Sequence, residues 1–237
     1  MHDRFRMAFD WVPQCTRLLD VGGDKGSVTN EYLRKAKNVF MVESNKDAVD
    51  YCHKQFPDVK SFVGFAEKLH FKNGFFDVVV MTETLEHVRA EKKALSEVFR
   101  VLKNNGVLIL STPHKGLFSF MDVFNLKFRF PFLYRLFKGS AAEKSYIAEP
   151  DWHRHYSFED YKELLGNMFV IEKIHRGGLF VWPFCWFLQD GILHFLFRKN
   201  PAWIDAMKGW FMDVDYGIDY GRFAFNIMVL ARKQTLS

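Results

Sequence analysis

Leu18-Leu19-Asp20-Val21-Gly22-Gly23-Asp24-Lys25-Gly26 is an apolar run that stops in a cluster of glycines. Arg17–Val21 reads as a short buried strand, and Val28–Ala36 carries a helical pattern. A strand that enters a glycine turn and then a helix brings backbone close to whatever lies beyond the strand end. Glycine permits that approach, and the first turn of a helix offers unpaired N–H groups to an anionic group. The spacing does not match G-x-G-x-x-G, the dinucleotide pattern, because Gly22, Gly23 and Gly26 stand in another register. It matches D-x-G-x-x-x-G. Taken alone, the run also suits a plain turn with no ligand.

The pattern repeats outward from there. Val39–Val42 is a second strand closed by Glu43, and Asp47–Gln55 is a helix that stops before Pro57. Val59–Val63 and Asp77–Met81 are further strands. The latter has no polar interruption, as expected where both faces of a sheet are covered. Glu91–Leu102 is an amphipathic helix ending at Asn104-Asn105-Gly106, and Val107–Leu110 is a fifth strand. This alternation predicts an α/β fold with a mostly parallel, doubly wound sheet of Rossmann-like type. In such sheets ligands sit beyond the carboxyl ends of the strands. The last third is less regular. Ser157–Leu165 reads as a helix with Ser157 as N-cap and Asp160 three residues on. Phe169–His175 and Phe223–Ala231 read as strands, and Gly177–Gly221 between them is a long aromatic insertion.

The 237 residues suffice for one large domain, and residues 1–237 are expected to form one. Net charge is +5. That bias suits an anionic partner such as nucleic acid or lipid headgroups, or simply a well-solvated surface. Cys15, Cys52 and Cys185 include no CxxC pair, so neither a disulfide framework nor a zinc knuckle is indicated. The start, MHDRFRMAFDWVP, has no signal-peptide pattern, and a reducing cytoplasmic compartment is the expectation.

Glu43 follows the glycine run by about twenty residues and ends the second strand, where a carboxylate can accept hydrogen bonds from both ribose hydroxyls of an adenosine. It can also be an ordinary surface residue. With it the chain resembles a known group. LLDVGGDKG, VFMVES, FVGFAEKLHFKNGFFDVVVMTETLEHV and EVFRVLKNNGVLILSTP lie in order across residues 17–113. They are similar to class I S-adenosylmethionine-dependent methyltransferases of the ubiquinone/menaquinone-biosynthesis type. The resemblance implies a seven-stranded sheet whose last strands pair antiparallel, and residues 17–113 as the cofactor-binding half. It implies that Asp20 and the loop of Gly22, Gly23, Asp24 and Gly26 hold the methionine part of S-adenosylmethionine. Glu43 and Ser44 would hold the ribose, and Ala66 with Glu67 the adenine edge. Thr82 and Glu83 would face the sulfonium. Two positions depart from the group's habit: Asp24 stands where glycine is usual, and Phe65 where an aspartate often precedes Ala66.

Methyl transfer from a sulfonium mainly requires alignment and exclusion of water. A hydroxyl nucleophile needs in addition a base or a metal. Glu83, Glu86 and His87 form an E-x-x-E-H pattern. If those residues turn helical, the i, i+3 and i+4 spacing puts them on one side, where they suit a divalent ion. The same pattern resembles the metal site of ubiquinone-pathway O-methyltransferases and of small-RNA 3′-end methyltransferases. His153 and His155, in Asp151-Trp152-His153-Arg154-His155-Tyr156, are candidates for a further ligand or for a general base without metal. His87 is the other catalytic candidate, or it merely packs.

Lys115–Lys138 and Gly178–Lys199 interleave phenylalanine and tryptophan with basic residues. Residues 114–156 and 177–221 are therefore expected to be insertions or a substrate lid. Pro183 and the Gln189-Asp190-Gly191 break argue against a membrane span. The alternatives are a lid over an apolar, lipid-linked or glycan acceptor, a peripheral membrane surface, extra core, or a homodimer contact. The basic residues lack the dense clustering of a nucleic-acid surface, which makes nucleic acid the weakest of these partners. A small soluble acceptor, or binding of the cofactor without catalysis, stays open.

Overall fold

The computed structural model describes residues 3–117, 119, 154–179 and 202–235. Most of both aromatic segments, together with Asp151, Trp152 and His153, lies outside the described residues. Seven strands form one sheet in the order β3-β2-β1-β4-β5-β7-β6. They are β1 (Cys15–Val21), β2 (Ala36–Glu43), β3 (Val59–Val63), β4 (Phe76–Thr82), β5 (Leu102–Pro113), β6 (Phe169–Gly177) and β7 (Asn226–Lys233). The first five run parallel, and β7 runs antiparallel between β5 and β6. Strand order reverses between β1 and β4, so the glycine turn after β1 emerges at the switch point, where this class of sheet opens a crevice.

The uninterrupted apolar strands follow from burial on both faces. In β4, Val79 and Met81 join the core under α4 (Glu91–Val101) and α5 (Phe158–Leu165). Val78 and Val80 point the other way, into a core with Val49 and Cys52 of α3 (Lys46–Gln55) and Ala8 and Phe9 of α1 (Asp3–Trp11). Asn45 caps α3 by accepting from the backbone of Asp47 and Ala48, and Ser157 with Asp160 forms the expected capping box on α5.

Several boundaries differ from the sequence reading. The helix after the glycine loop is only α2 (Ser27–Glu31), continued by a single 3-10 turn at Tyr32–Arg34. Ala36 already pairs with Cys15 in the sheet, so strand pairing ends the helix early. Leu102, expected as the last helical residue, begins β5 and pairs with Phe76. Phe223 lies in a 3-10 turn, and β7 starts at Asn226, where pairing with Pro113 and Gly177 begins. The end of the 177–221 insertion is α6 (Ala202–Gly217), which packs beside α1. The sequence reading placed no helix at either position.

Candidate cofactor site

Beyond β1 the chain turns on Gly22 and Gly26, both at φ +80, with Asp24 between them at φ 46. All three are left-handed, a conformation that glycine adopts freely and that aspartate tolerates better than most residues. Asp24 can therefore replace a glycine without changing the course of the loop. The loop is also crowded. A Cβ on Gly22 would lie 2.3 Å from Thr84 Oγ1, and one on Gly26 2.4 Å from Cys52 Sγ. Thr84 donates to the carbonyls of Val21 and Thr82, which holds the segment after β4 against the loop after β1.

Glu43, at the end of β2, turns its carboxylate back onto the same loop. Its Oε2 accepts from the Asp24 N–H at 3.2 Å, and its Oε1 accepts from Ser44 Oγ and the Asn45 N–H, each at 2.9 Å. Past β3, Phe65 is 63% exposed, Ala66 is buried and Glu67 half-buried. The structure thus brings Gly22, Gly23, Asp24, Gly26, Glu43 and Ser44 to one crevice. An exposed aromatic ring stands on the loop that follows the neighbouring strand.

Asp20 is placed differently. It is buried, and Thr29 Oγ1 donates to its Oδ2 at 2.6 Å. The carboxylate ties β1 to α2 from beneath the loop. Burial pushes its pKa up to about 6, against the Thr29 hydrogen bond, which favours the anion. A carboxyl that ionises less readily folded than unfolded favours the fold in its acid form. That stability is fully present below about pH 4, the unfolded carboxyl range. It is lost as the pH rises through about 6. Asp20→Asn keeps an oxygen for Thr29, so it is expected to remove this part of the decline in urea stability between about pH 4 and 6.5. Wild-type and variant midpoints that fall in parallel over that range would assign the pH dependence elsewhere.

At the end of β4, Thr82 is buried and Glu83 sits at φ 51. The expected helical projection of Glu83, Glu86 and His87 does not form, because Glu83 is itself left-handed and Thr84, at φ −128, is not helical, so only Leu85–His87 form a 3-10 turn. Glu86 is buried in that turn and His87 is exposed, with Nε2 at 4.0 Å from Glu86 Oε1. Glu83 points away from both. Its carboxylate lies 3.3 Å from Arg4 Nε, accepts from Ser111 Oγ at 3.2 Å, and meets Asn226 Nδ2 at 3.2 and 3.3 Å. Tyr216 in turn donates to Asn226 Oδ1 at 2.6 Å. Among the described residues no three His, Cys, Asp or Glu side chains converge as a metal site. His153 lies outside the described residues.

His155 lines a depression of about 610 Å³ with Arg154, Tyr156, Lys115 and Glu91, beyond the end of β5. Arg154 is paired with Glu91 at 2.8 Å, and Tyr156 also donates to Glu91. Arg4, Thr29, Thr84, Ser111, Tyr216 and Asn226 were not singled out from the sequence. None carries a local motif; each reaches the site through chain topology.

Residues 19–110 match the family described as "Methyltransferase domain". A Mycobacterium tuberculosis protein named a probable S-adenosylmethionine-dependent methyltransferase is 28% identical over 110 residues, 46% of this chain and 40% of the relative. The matched part of this chain thus covers well under two thirds of that protein's length. A demethylmenaquinone methyltransferase of Renibacterium salmoninarum is 25% identical over 178 residues, 68% of this chain and 75% of the relative. Among solved structures, an S-adenosylmethionine-dependent methyltransferase of Methanosarcina mazei superposes with a TM-score of 0.60 at 17% identity, covering 99% and 100% of the two chains. That likeness concerns the fold.

Proposed function

Because residues 19–110 of this chain are a methyltransferase domain of the class I, S-adenosylmethionine-dependent type, we propose that the protein transfers a methyl group from S-adenosylmethionine to an oxygen, carbon or nitrogen of a hydrophobic or lipid-linked acceptor. The observation that carries the reading is the crevice at the switch point. There a glycine loop pinned against Thr84 faces the carboxylate of Glu43.

The residues present fit the cofactor. Glu43 offers a carboxylate beside the glycine loop whose oxygens would accept from a ribose diol. Phe65 supplies an exposed ring for the adenine, beside Ala66 and Glu67. The backbone of Gly22–Gly26 would take the methionine part, with Asp20 and Thr29 holding the loop from below. Thr82 and Glu83 border the place left for the sulfonium. The cofactor supplies an activated methyl group with a neutral leaving sulfide; the chain's work is to orient it and exclude water. His155, which lines the depression past β5, would accept a proton from an acceptor hydroxyl in this reading. The reading uses no metal, since Glu83 is turned to Arg4 rather than toward Glu86 and His87.

Two observations favour an apolar acceptor. A relative's name specifies a quinone, demethylmenaquinone, as its substrate. Leu117, Trp210, Val214, Ile218 and Phe223 expose large apolar side chains in this structure. Leu117 belongs to the aromatic-basic segment 115–138 and the other four follow the segment 178–199 in the chain; such segments suit a lid or peripheral contact with a membrane. No helix among the described residues is long and apolar enough to cross one.

The test is incorporation of labelled methyl from S-adenosylmethionine into separated lipid and aqueous fractions of a cell extract. Label in the lipid phase is expected. Label only in the aqueous phase would move the acceptor to a soluble sugar or metabolite. Tight cofactor binding with no label in either would make the chain a non-catalytic binder.

A further inference from the structure

Glu83 is the most constrained charged residue near the crevice. It is left-handed at φ 51, its side chain is 19% exposed, and Thr84 beside it closes on Gly22. A non-glycine residue persists in that conformation only where its surroundings over-determine it. The surroundings are groups from four elements. Arg4 of α1 faces Oε2, Ser111 of β5 donates to Oε1, and Asn226 of β7 meets both oxygens. Tyr216 of α6 orients Asn226, because its hydroxyl occupies Oδ1 and so turns the amide nitrogen to Glu83. Asp3, 3.4 Å from Arg4, is the other carboxylate beside the guanidinium. Burial, which disfavours the Arg4 cation, is outweighed by Glu83, Tyr216 and Asp3, so its pKa lies above the usual arginine value.

Arg4 and Asn226 lie outside residues 19–110, the part of the chain that matches the methyltransferase domain. Two elements distant in sequence thus supply an arginine cation and an amide to one carboxylate at the rim of the cofactor crevice.

We propose that Arg4 is a charge-balancing positioning residue of the cofactor site. By its charge contact with Glu83 at 3.3 Å it would offset a carboxylate that, on that reading, borders the sulfonium, and so limit the preference for the cationic cofactor over its neutral product. The inference rests on the reading of this chain as an S-adenosylmethionine-dependent methyltransferase. S-adenosylmethionine and S-adenosylhomocysteine differ by the methyl group and the positive charge it confers on sulfur. An unbalanced carboxylate at the rim favours the first over the second. A carboxylate matched by a guanidinium favours it much less. The pair therefore keeps the Glu83 carboxylate aimed without giving the site a strong net charge.

The experiment is calorimetric titration of the full chain with each of the two ligands at low salt, in wild type and four variants. Arg4→Met leaves Glu83 with neutral donors only, and the ratio of affinities is expected to shift toward S-adenosylmethionine by ~3- to 10-fold. Glu83→Gln leaves Arg4 without its main partner and should shift the ratio the opposite way by a similar factor. Arg4→Lys keeps the charge and should hold the wild-type ratio. The double variant Arg4→Met/Glu83→Gln should return toward it. A purely structural role for Arg4 in docking α1 would weaken both ligands together and would not give opposite shifts. Thermal melts identify any variant that fails to fold, and Glu83→Gln with Arg4→Lys still reads the ratio if Arg4→Met does. Equal ratios across the folded variants, or shifts in the same direction, overturn the inference while the cofactor assignment stands. Binding of neither ligand by the wild type overturns the cofactor assignment, and this inference with it.

Discussion

Gly22→Ala is expected to lower S-adenosylmethionine affinity by ~100-fold or more and to destabilise the fold by roughly 2–4 kcal/mol. Two physical terms add. The residue sits at φ +80, where a side chain costs about 1–2 kcal/mol. The new Cβ would also lie 2.3 Å from Thr84 Oγ1 and 2.5 Å from Thr84 Cγ2. Thr84 cannot yield easily, because its hydroxyl is held at 3.0 Å from the carbonyls of both Val21 and Thr82. Displacing it sacrifices hydrogen bonds worth ~0.5–1.5 kcal/mol each and moves the loop away from Glu43. Gly74→Ala separates the two terms. Gly74 is also left-handed, at φ +62, but its nearest neighbour to a Cβ is 3.9 Å away. It should lose only about 1 kcal/mol of stability and leave cofactor binding unchanged. Urea unfolding and calorimetric titration measure both quantities. A Gly22→Ala protein that binds the cofactor like wild type would show that the loop is not its cradle.

Glu43→Ala is the second large effect. A hydrogen bond to a charged group contributes about 1.5–3 kcal/mol. A carboxylate that holds two ribose hydroxyls should therefore account for ~100-fold in affinity, after its existing contacts with Asp24, Ser44 and Asn45 are set against it. S-adenosylmethionine and S-adenosylhomocysteine share the ribose, so both should weaken by the same factor. That is the contrast with Arg4 and Glu83, whose variants should separate the two ligands. Glu43→Gln should fall between wild type and alanine, since an amide retains one acceptor oxygen. Unchanged binding by Glu43→Ala would remove the residue from the ribose role.

The legible part of this site is the part written in consecutive residues. A buried strand, a glycine turn and a carboxylate at the end of the next strand are local patterns. Residues 17–43 show them because strand burial and left-handed turns constrain residue type directly. The Ser157/Asp160 capping box was legible for the same reason. Where the reading used an ideal period beyond its range, it erred. Residues 28–36 lost their last turn to sheet pairing at Ala36. The E-x-x-E-H pattern lost its common face because Glu83 is left-handed, a conformation that residue identity does not announce.

The sequence by itself determined the doubly wound architecture, a ligand site beyond the carboxyl ends of its strands, and Glu43 as the acid that closes the second strand. These depend on alternation, glycine and chain order, which every folded arrangement of the chain must respect. Tertiary structure alone decided the environment of each charge. Asp20 is buried beneath the loop against Thr29, and Glu83 is matched by Arg4 from the first helix and Asn226 from the last strand. Burial and pairing depend on distance in space. Arg4, Glu83, Ser111, Tyr216 and Asn226 become neighbours only when α1, α6, β4, β5 and β7 meet at the carboxyl end of the sheet.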